Sequence, residues 1–319
     1  MDKKTMKPYR DFGSFLGETF PFKVQKISVH AGLGCPNRDG TKGWGGCTYC
    51  NNQTFSPAYC HGNRTIGEQL SDGIRFFARK YPAMKYLAYF QAYTNTYADT
   101  HSLIQKYEEA LAFPNVAGLI VATRPDCMPE DLLHYFAELA QKKFLLIEYG
   151  LESTLDDTLN RINRGHTQAE SEDAIQRTAD KGIHTGAHLI LGLPGEGHRE
   201  ILKHAETLAE LPLTTLKLHQ LQLIRHTPMA TDFAEHPEWF QHYALNEYID
   251  LVIDFLEKLN PRIVVERFVS QSPREWLIAP EWGEKNHVVT AQVIRRMTER
   301  NTHQGKLFRA NKNKSSIIK

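Results

Sequence analysis

The chain has 319 residues, of which 41% are apolar and 24% are charged, and its formal net charge is +1. This composition is ordinary for a globular enzyme with a large core. The first twenty residues lack the apolar segment of a signal peptide and no run approaches the roughly 18 apolar residues of a membrane span, so we expect a cytoplasmic protein with reduced cysteines and no membrane partner.

Strand-length apolar runs alternate with helix-length amphipathic segments along most of the chain. Val24 to His30 is predicted as the first strand, and the capping box Thr65-x-x-Glu68 predicts a helix that continues to about Lys80. The next predicted strands are 86–91, 116–123, 144–150, 184–191 and 215–223, and the helices between them are 101–112, 129–142, 154–163, 167–181 and 198–210. This spacing is typical of βα units, so we expect a parallel α/β sheet. Six units indicate a barrel, either complete or incomplete.

Three of the five cysteines lie within sixteen residues, directly after the first predicted strand. Cys47 and Cys50 are spaced so that both sulfurs can face one metal, and Cys35 supplies a third, which leaves one coordination position open. Glycines at positions 40, 43, 45 and 46 allow the loop to wrap closely. A structural zinc site with Cys60 as fourth ligand is the alternative, although four-thiolate zinc usually pairs two short cysteine knuckles and only one is present.

Polar residues follow the carboxyl ends of the other predicted strands, where barrel active sites form. The residues after a strand are Tyr93–Asn95, Arg124–Asp126, Glu152 and Gly192–Glu196. Glu148 lies inside the fourth predicted strand, and Lys217, His219 and Gln222 lie along the sixth. Glu148 is costly to bury alone, so it either pairs with Arg124 or Lys217 or contacts a ligand. Gly192 is expected first of all to form a turn after the fifth predicted strand. We assign no role to the histidines at 30, 166, 188 and 219.

The segment beyond residue 225 is predicted to form a small α/β extension. It contains a helix over 239–259, a strand over 262–268 and a final helix over 286–301, so we divide the chain into a core with an N-terminal extension, 1–225, and an extension with a basic tail, 226–319. Residues 285–319 carry nine Lys and Arg against one acid, which leaves 29 basic and 36 acidic residues elsewhere. The tail indicates either a polyanionic partner or a solvated end.

Cys35-x11-Cys47-x2-Cys50, with an aromatic residue before the last cysteine, resembles the radical S-adenosylmethionine (radical SAM) superfamily. The long first gap resembles the narrower YhcC-like group, which is related to the catalytic subunit of elongator. Five further blocks carry the same resemblance, namely Ala122–Asp126, Glu148–Ser153, Arg161–Thr167, His188–Gly195 and Ser272–Pro280.

The resemblance implies a partial TIM-type (β/α)6 radical SAM barrel with a small C-terminal α/β extension. It further implies a 4Fe-4S cluster on Cys35, Cys47 and Cys50, with SAM on the fourth iron and an external electron donor of the flavodoxin or ferredoxin type. Tyr49 would lie against the adenine of SAM, and Arg164 would bind its carboxylate unless Arg164 is a surface residue after a helix. The predicted cofactor-binding residues are Tyr49, Asn95, Glu148, Glu152, Arg164, Gly192 and Lys217.

Three functions remain open at this point. The first is radical modification of an RNA base, for example in tRNA, and the second is radical chemistry on a small molecule or a protein. The third is a zinc-stabilised nucleic-acid-binding module without catalysis. No catalytic residue is assigned.

Overall fold

The computed structural model describes residues 7–54, 56–78 and 83–310. The strands are β1 Val24–Val29, β2 Lys85–Phe90, β3 Val116–Thr123, β4 Phe144–Glu152, β5 His184–Leu191, β6 Thr215–Gln220, β7 Leu223–Ile224, β8 Val264–Arg267 and β9 Leu277–Ala279. The helices are α1 Phe12–Thr19, α2 Ile66–Ala78, α3 Thr100–Ala112, α4 Glu130–Ala140, α5 Asp156–Arg161, α6 Gln168–Asp180, α7 His198–Ala209, α8 Pro228–Glu235, α9 Leu245–Lys258 and α10 Asn286–Glu299.

Seven strands form one parallel sheet, in the order β1-β2-β3-β4-β5-β6-β8. The sheet curls into a partial barrel of the predicted α/β type, with helices packed on its outer face. β7 and β9 form a separate antiparallel pair. The six strands predicted for the core are confirmed, although the sixth ends at Gln220 rather than at residue 223.

The strand predicted over 262–268 is found as β8, but it belongs to the main sheet. β8 pairs in parallel with β6, and Thr215 is opposite Val264 in the register. The barrel sheet therefore has seven strands in the described residues instead of six. Sequence periodicity identified this strand correctly but could not reveal its partner, because a short buried strand carries no signal for the neighbour that it will pair with.

One predicted helix begins later than expected, and the predicted start of another is confirmed. The helix predicted from residue 239 begins at Leu245, since Pro237–Trp239 forms a separate 3-10 turn. The backbone N–H of Ala244 donates to Glu247 at 2.8 Å, which fixes the start of α9. The predicted capping box of α2 is confirmed by hydrogen bonds between Thr65 and Glu68. Its predicted end at Lys80 lies outside the described residues.

The interior of the barrel is closed at its amino end by α1. Asp11 caps this helix by accepting from the backbone N–H groups of Gly13 and Ser14. Phe12 and Phe15 enter the apolar cluster inside the sheet, where Phe15 contacts the ring of Phe144 at 6.4 Å between centroids. Residues 10–11 also bridge to Val265, which covers the outer edge of β8. Side chains of α1 therefore fill the amino end of the barrel interior.

Part of the basic C-terminal segment is paired and packed on the body. Arg296 and Arg300 form ion pairs with Asp250 and Asp254 of α9. Gln304 is buried and donates to the backbone carbonyls of residues 260 and 263. The lysines at 312, 314 and 319 lie outside the described residues. None of the helices in the described ranges is long and apolar enough to cross a membrane.

Candidate functional site

A cavity of about 500 Å³ opens at the carboxyl ends of the sheet strands. Its wall includes all three predicted metal ligands and three of the predicted cofactor-binding residues: Cys35, Cys47, Cys50, Tyr49, Glu152 and Arg164. Four predicted cofactor-binding residues are not part of the wall: Asn95, Glu148, Gly192 and Lys217. The structure thus brings the cysteine loop and the ends of β4 and α5 together and leaves the other predicted residues behind or beside the cavity.

The cysteine loop, residues 35–50, contains no helix or strand and is held by side chains from neighbouring segments. Asn37 is fully buried and its side-chain amide donates to the carbonyl of Asn163 at 2.5 Å. Gly43 and Gly46 make this packing possible. A Cβ on Gly43 would lie 2.4 Å from Asn37 Oδ1, and Gly46 has φ of +86°. The predicted role of the glycines in close wrapping is confirmed at these two positions.

Nitrogen donors surround the thiols of the loop. Asn37 Nδ2 and Arg164 Nη1 each lie 3.6 Å from Cys47 Sγ, and Asn52 Nδ2 lies 3.8 Å from Cys50 Sγ. Burial raises the pKa of the Cys50 thiol, and the guanidinium of Arg38 opposes that shift. Donors of this kind favour the thiolate, which is the form that binds metal.

Arg164 is buried, so the surface alternative for this residue is wrong. Its exposed fraction is 6%, and Nη2 donates to the carbonyl of Gly150 at 2.5 Å. Nη2 also lies 3.9 Å from Glu152 Oε1. The pKa of Arg164 is raised, because the negative charge of neighbouring groups outweighs the effect of burial. A permanent cation therefore stands beside Cys47 at the cavity wall.

A second buried arginine fixes the rim between β3 and the cysteine loop. Arg124 binds Asp126 through two hydrogen bonds of 2.9 Å and donates to the carbonyl of Arg164 at 2.8 Å. Lys42 of the cysteine loop reaches the same carboxylate at 3.0 Å. Despite burial, these cations lower the pKa of Asp126 to about 2. Arg124 is therefore a rim-positioning residue, and the predicted pair between Arg124 and Glu148 is not formed.

Two non-glycine residues in the cavity wall have left-handed backbone conformations. They are Tyr93, with φ of 62°, and Glu152, with φ of 71°. Such conformations are uncommon for residues with a side chain and cluster at functional sites. Tyr49 is also part of the wall, and burial raises the pKa of its phenol well above its usual value. Its ring therefore presents a neutral, largely apolar surface to the cavity.

Asn95 and Gly192 contact other parts of the protein and not the large cavity. Asn95 is fully buried and its amide donates to the carbonyls of Phe90 and Ala122, which ties the ends of β2 and β3 together. Gly192 adopts φ of +91° in a turn, as expected, and lies against Tyr243 in a separate small pocket. Neither residue reaches the wall of the large cavity.

Below the cavity, four charged residues on four strands form the charge cluster: Lys26, Glu148, Lys217 and Glu266. Glu148 Oε2 lies 2.5 Å from Lys217 Nζ, and Oε1 lies 3.3 Å from Lys26 Nζ. Glu266 pairs with both lysines. Despite burial, the two lysines lower the pKa of Glu148 well below its usual range. The predicted pair of Glu148 with Lys217 is confirmed, and two acids balance two bases inside the sheet.

Three residues to which sequence analysis gave no role form the cavity floor: His188, His219 and Arg267. His188 Nε2 lies 3.1 Å from Glu148 Oε2, and a nitrogen of His219 lies 2.9 Å from Arg267 Nη2. Burial lowers the pKa of both imidazoles, and neighbouring cations lower it further. Arg267 was missed because two adjacent charges, Glu266 and Arg267, at the end of a four-residue strand resemble a solvated edge. The signal was that it follows Val264, Val265 and Glu266 without a turn residue.

The side chains of the cysteine loop and its surroundings fit an iron–sulfur cluster. Three thiols of one loop line a single cavity, with cationic and amide donors beside them, and this is the ligand chemistry of such clusters. Cys60 is buried and is not part of the cavity wall. Within the described residues, no group of three His, Cys, Asp or Glu side chains is gathered for a single ion. A cluster spreads its ligands over several irons, so the residues present fit the group.

Comparisons with known proteins agree with this geometry. The family described as the radical SAM superfamily matches residues 32–208, and the radical SAM C-terminal domain matches 213–299. Protein YhcC of Escherichia coli is 36% identical over 289 residues, which cover 90% of this chain and 92% of that protein. A tRNA uridine(34) acetyltransferase of Methanocaldococcus infernus is 26% identical over 163 residues, covering 50% of this chain and 29% of that protein.

A solved structure has the same fold. It is the archaeal Methanocaldococcus infernus Elp3 with an N-terminal deletion, which matches with a TM-score of 0.66 at 16% identity. The match covers 89% of this chain and 64% of that one.

Proposed function

Because the chain belongs to the radical SAM superfamily and, as a member, uses a 4Fe-4S cluster and SAM, we propose that it cleaves SAM reductively to a 5′-deoxyadenosyl radical that acts on a substrate in the cavity. The observation that carries the proposal is the convergence of three thiols from one loop on a cavity of about 500 Å³. The closed amino end of the barrel supports it, since a reactive site must exclude water.

Within this proposal, Cys35, Cys47 and Cys50 hold the cluster. Arg164 and Asn37 donate toward Cys47 Sγ and stabilise its thiolate. Arg164 also remains near enough to the cavity to bind a carboxylate, for which a guanidinium has a matching fork. Tyr49, which is adjacent to the last two ligands, offers a flat neutral ring to a base.

Glu152 is the acidic residue of the wall that is best placed for a ligand amine or hydroxyl. Its carboxylate is 3.9 Å from Arg164 and lies on a strained backbone that holds it toward the cavity. Glu148 and Lys217, by contrast, satisfy each other below the floor. We therefore retain Tyr49, Glu152 and Arg164 as cofactor-binding residues and give Asn95, Glu148, Gly192 and Lys217 supporting roles.

The substrate has two candidate classes. The name of the tRNA uridine(34) acetyltransferase favours RNA, and the predicted basic tail supports it. The ion pairs of Arg296 and Arg300 with α9 reduce the charge that the described part of the tail can offer. The enclosed, polar floor favours a small molecule. An electron donor of the flavodoxin or ferredoxin type completes the reaction, since the cleavage consumes one electron.

Anaerobic reconstitution tests the proposal. The protein should bind about four irons, and this iron should be lost in Cys47→Ala. A colourless protein with one zinc would contradict the proposal and favour a zinc-stabilised binding module. RNA binding is tested separately with a chain that ends at residue 310, because removal of the buried Gln304 would also disturb packing. Steep weakening of RNA binding by salt, lost in the shortened chain, supports the RNA candidate.

A further inference from the structure

Arg267 differs from the other charged residues of the cavity wall in the described part of the chain, because it lacks an acidic or thiol partner. Arg124 binds Asp126, Arg164 lies beside Glu152 and Cys47, and Arg38 interacts with the cysteine thiols. Glu266, which precedes Arg267 in β8, pairs with Lys26 and Lys217 instead. The hydrogen-bond partner of the Arg267 guanidinium is the imidazole of His219.

The charges of the barrel interior also leave Arg267 without a compensating negative charge. Lys26 and Lys217 are offset by Glu148 and Glu266. The imidazole of His219 is neutral at pH 7, because burial and the nearby cations lower its pKa well below the usual value. Arg267 therefore contributes one positive charge that the neighbouring groups do not cancel. An uncompensated charge at the wall of a cavity attracts an anion more strongly than the same charge on the open surface.

One atom of the guanidinium is also without a hydrogen-bond partner. Arg267 Nε is buried and has no acceptor, although most buried N–H groups in proteins have one. A guanidinium presents Nε–H and an Nη–H side by side, which is the fork that binds the two oxygens of a carboxylate or phosphate. The unpaired nitrogen, the unbalanced charge and the cavity occur at the same residue.

We propose that Arg267, with His219 beside it, forms a subsite at the floor of the cavity that binds a terminal carboxylate or phosphate of a small-molecule substrate. The subsite lies on β8 and β6, whereas the cysteine loop follows β1 at the opposite edge of the sheet. A substrate held by its anionic end at the floor would extend toward the cysteine loop. This inference rests on the proposed function for its chemical purpose, and it narrows the substrate to an anionic small molecule.

His219 has a positioning role in this subsite. It accepts a hydrogen bond from Arg267 and packs against His188, with ring centroids 5.5 Å apart. His188 is in turn anchored to Glu148. The chain of contacts holds the guanidinium in place without supplying a negative charge that would compete with a bound anion.

The test is a calorimetric titration of the reconstituted full-length protein with inorganic phosphate and, separately, with acetate at constant ionic strength. At least one anion should bind saturably, and Arg267→Gln should weaken that binding by about tenfold or more, since hydrogen bonds to charged groups contribute about 1.5–3 kcal/mol. Arg267→Lys should restore part of the affinity, because the charge returns without the fork. The matched control Arg295→Gln removes an exposed arginine of α10 and should bind as the wild type does.

Three results would overturn the subsite. They are the absence of saturable binding of both anions, equal binding by Arg267→Gln, and loss of anion binding when SAM is saturating, which would assign the residue to SAM. If Arg267→Gln does not fold, the anion affinity of Arg267→Lys is the test. Wild-type affinity in that variant would show that the paired N–H donors of the guanidinium do not bind the anion. Iron content separates this claim from the proposed function. A wild type that binds the anion without holding a cluster contradicts only the function, whereas one that cleaves SAM and binds neither anion contradicts only the subsite.

Discussion

The cysteine loop and the charge cluster are two polar regions at different depths of one barrel. The loop has no regular structure and depends on a few side chains such as Asn37 and Arg164. The charge cluster lies on β1, β4, β6 and β8, each of which is hydrogen-bonded to its neighbours in the main sheet. The two regions therefore have different roles. The loop is held by a few contacts and can adjust to a bound metal group, whereas the charges on the strands must be balanced for the barrel to fold.

The largest effect is expected at the loop. Cys47→Ala should reduce bound iron from about four per chain to almost none, because two thiolates do not hold a cluster. Iron and acid-labile sulfide analysis after anaerobic reconstitution measures the loss.

Cys60→Ala is the matched control for this variant. Cys60 is buried and is not part of the cavity wall, so iron binding should be retained. Equal metal loss in both variants would make Cys60 a ligand and would remove the distinction between the loop and the rest of the chain.

The charge cluster should respond in the opposite way. Glu148→Gln leaves the buried Lys217 and the partly buried Lys26 with one acid and should lower the free energy of unfolding by about 3–5 kcal/mol. Chemical denaturation of the wild type and the variant, both without the iron–sulfur cluster, measures the difference in the free energy of unfolding. Glu206→Gln removes an exposed ion pair with Lys258 and should cost about 1 kcal/mol or less. Similar losses of unfolding free energy in the two variants would show that the charge cluster does not stabilise the fold.

The rim pair between Arg124 and Asp126 predicts acid sensitivity. The pKa of Asp126 is lowered to about 2 in the folded state, so its contribution is present above its unfolded pKa near 4 and is lost as the pH falls through the folded pKa. The contribution is about 2 kcal/mol. Asp126→Asn should therefore lose this stability at neutral pH and show a flatter stability profile between about pH 4 and pH 2.

The control for the rim pair is Asp173→Asn, which removes an exposed ion pair with Arg177 on α6. It should keep the wild-type profile in the same pH range. An Asp126→Asn profile as steep as that of the wild type would assign the acid sensitivity to other carboxylates.

The smallest effect is expected from Asn37→Ala. This change removes the hydrogen bond to the carbonyl of Asn163 and should cost about 1–2 kcal/mol. Because Asn37 also donates toward Cys47, the cluster should be lost faster in air. Absorbance decay of the reconstituted protein checks this rate. A rate equal to that of the wild type would mean that the loop keeps its ligands without this contact.

The sequence predicted the parts of the fold that depend on local pattern. Alternating apolar runs identified the first six strands, and the spacing of Cys35, Cys47 and Cys50 identified residues that share one cavity. Non-local pairing could not be predicted in the same way. The position of β8 beside β6 depends on a fold formed by residues far apart in the chain.

The same reason explains why some of the predicted cofactor-binding residues are not part of the cavity wall. Asn95 and Lys217 follow or occupy strands at the correct rim, but their side chains are used by neighbouring carbonyls and by Glu148. Arg267 was given no role from the sequence, and its importance comes from the structure, in which its Nε has no hydrogen-bond partner. The position of a residue along a strand predicts that it lies near a site. The contacts of its polar group decide whether that group is free to bind a ligand.

The central claim is tested most directly by the products formed from SAM. Reconstituted wild-type protein, reduced with dithionite under anaerobic conditions in the presence of SAM, should form 5′-deoxyadenosine, and Cys47→Ala should form none. Absence of 5′-deoxyadenosine from a wild type with a full iron complement, under several reductants, would contradict the account.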